Sequence, residues 1–143
     1  MSISTDPVEA RPRARRTPPP RWILWSLRAT ATLHLLGVLV QAVLAGMFVT
    51  GDVDMLTWHR DNGGFTYGML FFQVVAAILL WRPGRGPAWP ALATGALAAP
   101  ETLQVMLGQE RVLIGHFPIG VLDFGASAVL AWWAWTGLRT EGA

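Results

Sequence analysis

Four stretches of this chain are almost continuously apolar, at about 29–50, 63–81, 89–108 and 113–135, and short polar segments separate them. Each comes close to the roughly 20 residues that a helix needs to cross the hydrocarbon core of a bilayer. None shows the two-residue alternation of a half-buried strand. The connections "GDVDMLTWHRDNG", "RPGRGPA" and "QERV" are short and suit antiparallel neighbours. The pattern predicts an all-α integral membrane protein, an up-down four-helix bundle spanning residues 22–137.

The flanks read differently. Residues 1–21, "MSISTDPVEARPRARRTPPPR", are rich in Pro and Arg and hold almost no residue that could build a core, which predicts a disordered basic tail. Residues 138–143 form a short second tail. The first apolar stretch is too long for the core of a signal peptide and ends without a small-x-small cleavage site, so it reads as a retained helix.

Composition agrees with a membrane assignment, since 52% of the 143 residues are hydrophobic and only 14% charged. All eleven basic residues are arginine, and five of them (Arg11, Arg13, Arg15, Arg16 and Arg21) precede the first span. The "RPGRGP" loop is also basic, whereas the first loop sets Asp52, Asp54 and Asp61 against Arg60. The positive-inside rule then puts both termini in the cytoplasm. Trp22, Trp25, Trp81, Trp89, Trp132, Trp133 and Trp135 all fall at the helix ends this topology makes cytoplasmic, leaving Trp58 outside. With no cysteine in the chain, disulfides, zinc–thiolate sites and thiol nucleophiles are excluded. A lopsided arginine distribution on such a chain speaks for orientation in a bilayer before nucleic-acid binding.

The two halves echo one another. "QAVLAG" (41–46) and "QVMLG" (104–108) close the first and third spans, and a histidine precedes the next span in each case, His59 in "WHRDNGG" and His116 in "GHFPIGV". The chain reads as two helix-hairpin repeats related by an axis along the membrane normal. His59 and His116 then lie at equivalent depths near the outer surface, facing each other across the bundle axis.

That geometry suits axial ligation of a b-type haem, because neutral imidazole is a common axial ligand and bundle cores can hold cofactors between facing helices. Arg60 and Arg111 in the outer loops can pair with the propionates, and Gln41 and Gln104 complete the expected site. A wetter alternative leaves each histidine as an ordinary interfacial helix-end residue. His34, near the cytoplasmic end of the first span, is too far away to share that iron; it is expected to hydrogen-bond a neighbouring helix or reach the interface.

Glu101 and Asp123 fall roughly 10 Å below the outer helix ends, at about 1.5 Å per residue. They read either as neutral groups hydrogen-bonded to Gln41, Gln73 or Gln104, or as a proton relay. "GDVD" lacks the remaining ligands of a calcium loop. No phosphate loop, H-E-x-x-H or nucleophile motif is present, so no catalytic residue is assigned.

The segments "HR" (His59, Arg60) with Gly63, and Gln104, Leu107 and Gly108 ahead of His116, resemble one four-helix half of the heme A synthase family, over roughly residues 33–131. The arrangement is also similar to small bacterial four-helix membrane proteins with a Gln-x-x-Leu-Ala-Gly first helix and a histidine before helices two and four. The resemblance implies haem binding at His59 and His116 in a bacterial plasma membrane. It does not carry over oxidation of a haem methyl group: the carboxylate just ahead of the first histidine is missing, since Leu56 is three before His59 and Asp54 five before. The expected function is electron transfer or haem handling with a redox or haem-pathway membrane partner, or with a second copy of the chain. The competing expectations are a non-catalytic scaffold whose polar residues serve helix packing, and an ion pathway through Glu101 and Asp123.

Overall fold

A computed structural model describes residues 18–138, so the expectations for residues 1–17 and 139–143 lie outside the described residues. Four α-helices make up the fold: α1 (Arg21–Val49), α2 (Met55–Trp81), α3 (Trp89–Gln109) and α4 (Leu113–Thr136). No strand occurs among the described residues. Helices α1, α2 and α4 are long and apolar enough to cross a membrane. In α3 the apolar run is diluted by Pro90, Thr94, Pro100, Glu101, Thr102 and Gln104.

The helices overrun the apolar stretches of the sequence. Helix α1 starts at Arg21, directly after Pro20, where a proline run without amide donors gives way to the first residues able to make helical hydrogen bonds. Helix α2 starts at Met55. "MLTWHRDN" contains no breaker, so the polar segment before the apolar stretch is already helical and carries His59 within the first turns of α2.

Helix α1 packs against α2 and α4, and α3 packs against the same two. The apolar core lies toward one end, where Ile23, Leu24, Leu27 and Ala31 of α1 meet Ala76, Ala77 and Leu80 of α2 and Ala131 and Ala134 of α4. A smaller cluster of Leu70, Leu97 and Leu130 follows further along. Tryptophans ring the first end: Trp25 packs edge-on against Trp135 and Trp89 against Trp133, with centroids 5.6 and 4.4 Å apart. Toward the other end the packing changes character. No residue in 38–65 or 102–122 is fully buried. The buried apolar residues thus concentrate at the tryptophan end, while the histidine end is joined through polar contacts.

Arg28 ties the tryptophan end together. Its guanidinium donates from Nε to the carbonyl of Ala134 (3.0 Å) and from a terminal nitrogen to that of Leu138 (2.7 Å). It also lies over the rings of Trp25 and Trp135. A cation thus satisfies carbonyls that the end of α4 leaves without helical partners. Arg28→Ala strips two charge-assisted bonds from a buried helix end and is expected to cost about 2–3 kcal/mol, measured by detergent-induced unfolding in mixed micelles; Arg28→Lys is expected to recover part of it.

Candidate functional site

His59 and His116 come together at the end opposite the tryptophans. Their ring centroids are 6.1 Å apart, with the planes inclined at 64°. His59 Nδ1 lies 3.2 Å from the backbone carbonyl of Gln41, and His116 Nδ1 lies 2.9 Å from that of Gln104. A carbonyl only accepts, so in both rings Nδ1 is the donor, and the neutral tautomer of such a ring has its free lone pair on Nε2. Metal-ligating histidines are commonly held in this way, one ring nitrogen anchored to backbone and the other left to bind.

The glutamines occupy matching places in the two halves. One turn after each histidine is a glycine, Gly63 or Gly120, and the glutamine amide rests on it: a Cβ at Gly63 would lie 3.0 Å from Gln41 Nε2, and one at Gly120 would lie 2.7 Å from Gln104 Nε2. Any side chain there must displace the glutamine. The halves differ in the residue before the glycine. Asn62 donates from Nδ2 to the Gly37 carbonyl and to Gln41 Oε1, both at 2.9 Å. Ile119 stands at the corresponding position of α4 and has no such group, and Gln104 Oε1 is buried without a partner.

Gly108, in the last turn of α3, supports the second ring. A Cβ at this position would lie 2.9 Å from His116 Cε1. Gly108→Val is therefore expected to push the imidazole out of register with its Gln104 carbonyl while leaving the helices folded. A change to a ligand's supporting contact typically costs 10–100-fold in metal affinity, so, with His116 as the haem ligand expected from the sequence, haem titration would show a loss of at least about tenfold.

Of the other expected site residues, Arg60 follows His59 on α2 with its side chain 81% exposed and 3.8 Å from Asp61. Arg111 is exposed in the turn between α3 and α4, with φ of 57°. Both sit at the same end as the imidazoles, and neither bonds to them.

A second polar group lies deeper, and its pairing differs from the sequence expectation. Glu101 Oε2 meets His34 Nε2 at 3.0 Å, with His34 fully buried. Neither carboxylate oxygen of Asp123 has a hydrogen-bond partner. The glutamines proposed as partners for these carboxyls are engaged elsewhere or unpaired. Sequence reasoning also passed over Arg28 and Asn62, which, like the two histidines, reach backbone carbonyls of a neighbouring helix. Asn62 carries a readable signal, since an asparagine three residues after His59 lies on the same helix face.

No protein-family model, curated protein or solved structure matches this chain.

Proposed function

We propose that this protein is a four-span membrane protein, built from two helix hairpins with both termini cytoplasmic, that holds one b-type haem between His59 and His116 near the outer face for electron transfer or haem handling. The single observation that supports the reading is the matched anchoring of the two rings, each with Nδ1 on a glutamine carbonyl of the preceding helix. With ring centroids 6.1 Å apart, the two imidazoles of His59 and His116 would be the residues to hold one haem iron between them.

The donor set favours a macrocycle over a bare ion. No group of three or more His, Cys, Asp or Glu suited to a metal ion occurs among the described residues. Two imidazoles alone complete a centre whose other four ligands come from a porphyrin. Bound haem supplies one-electron redox chemistry. The chain's own part is to fix both rings through Gln41 and Gln104, to keep their tautomer, and to offer Arg60 and Arg111 to the propionates. The partners that follow are the lipid bilayer and a redox or haem-pathway membrane protein, or a second copy of the chain.

Expression with haem supply, purification and an absorption spectrum test the reading. One haem per chain with a Soret band, absent from the His59→Ala/His116→Ala double variant, is expected. No Soret band, or one unchanged in the double variant, overturns the proposal and leaves the buried polar residues a role in helix packing alone.

A further inference from the structure

Near the middle of the helices lies a cluster that the haem reading does not use. His34 of α1, Glu101 of α3 and Asp123 of α4 are 0, 6 and 3% exposed. His34 and Glu101 are hydrogen-bonded at 3.0 Å, and Asp123 belongs to α4, which packs against both of their helices, and has neither oxygen partnered. Helix α2 adds no titratable group to its buried face; its buried polar residues are Thr66 and Gln73. Arg28, the other buried cation, is engaged with the carbonyls at the end of α4.

The hydrogen-bond inventory of this cluster is one-sided. Asp123 Oδ1 and Oδ2, Gln73 Oε1 and His34 Nδ1 are all buried and without partners. An ionised carboxylate and an amide oxygen only accept, and a neutral His34 donating from Nε2 to Glu101 leaves Nδ1 an acceptor as well. The cluster is rich in acceptors and short of donors. Its charge is equally unbalanced, since a neutral imidazole with two carboxylates carries two negative charges in a region where unpaired charge is strongly disfavoured. Two added protons bring the net charge to zero, and the one on Asp123 turns an unpartnered acceptor oxygen into an O–H donor.

We propose that His34, Glu101 and Asp123 form one proton-binding site in the membrane core, holding two exchangeable protons at neutral pH, one on the His34 imidazole against the Glu101 carboxylate and one on Asp123. The ligand is the proton itself, because the cluster is not a set suited to a metal ion. The site stands independently of haem binding.

Infrared spectroscopy of the wild-type protein in lipid nanodiscs, in H2O and D2O, tests it. At neutral pH the spectrum is expected to contain the carbonyl stretch of a protonated carboxylic acid that moves on deuteration. Carbon-13 labelling of aspartate is expected to shift it and labelling of glutamate to leave it in place. The other described aspartates, Asp52, Asp54 and Asp61, are exposed and do not contribute. Asp123→Asn is expected to abolish the band and Glu101→Gln to preserve it. Nitrogen-15 spectra of labelled histidine are expected to show His34 as an imidazolium in the wild type and as a neutral ring in Glu101→Gln. Absence of the acid band at neutral pH, a band that moves with glutamate instead of aspartate labelling, or a neutral His34 in the wild type overturns the proposal. The labelling arms use the wild-type chain, so they decide the matter even where Asp123→Asn does not fold.

Discussion

With haem held as proposed, His59→Ala and His116→Ala, made singly, are each expected to convert its low-spin spectrum to a high-spin one and to leave it weakly held. The two rings are anchored alike, through Nδ1 on the carbonyls of Gln41 and Gln104. Neither is a spectator in this account. Loss of a ligand should exceed the roughly 10–100-fold drop in affinity that follows loss of a ligand's supporting partner. Equilibrium haem titration of both variants checks the size of the effect, and imidazole added to either is expected to restore the low-spin spectrum. An effect confined to one histidine would identify a one-ligand site and remove the basis for treating the halves as equivalent.

The largest effect on stability is expected from Glu101→Leu. His34 is fully buried and its Nε2 has Glu101 as its hydrogen-bond partner. Removing one member of a buried polar pair leaves the other desolvated and uncompensated, a loss of about 3–5 kcal/mol. His34→Leu is expected to cost a similar amount by orphaning the carboxylate. The double variant His34→Leu/Glu101→Leu should be no less stable than either single one, because apolar replacement of a whole buried pair is often neutral or favourable. Unfolding in mixed micelles across this double-mutant cycle gives the coupling energy directly. Additive losses would show that the two side chains do not depend on one another.

The helices were legible in the sequence because long apolar runs announce themselves, and three of the four are long and apolar enough to cross a membrane. Their ends were less so. A polar but unbroken segment such as "MLTWHRDN" can extend a helix well past its apolar part, and α2 begins at Met55 for that reason. The proximity of His59 and His116 could be argued from the echo between the halves, since each histidine follows a glutamine-bearing helix and a short loop. The His34–Glu101 pair could not. Depths counted from outer helix ends assume that the ends are level, but α1 has 29 residues and α3 has 21. That inequality brings a residue counted as deep beside one counted as shallow. Arg28 was hidden for a different reason: an arginine in an apolar run suggests snorkelling to the interface, and only the path of α4 shows carbonyls waiting beside it.

Electron paramagnetic resonance of the oxidised, haem-supplied wild-type protein asks most directly whether two imidazoles meet on one metal. The expected result is a low-spin ferric signal of bis-imidazole type, one per chain, with hyperfine broadening from nitrogen when histidine is labelled with nitrogen-15. A high-spin signal, or purified protein that retains no haem at all, contradicts it.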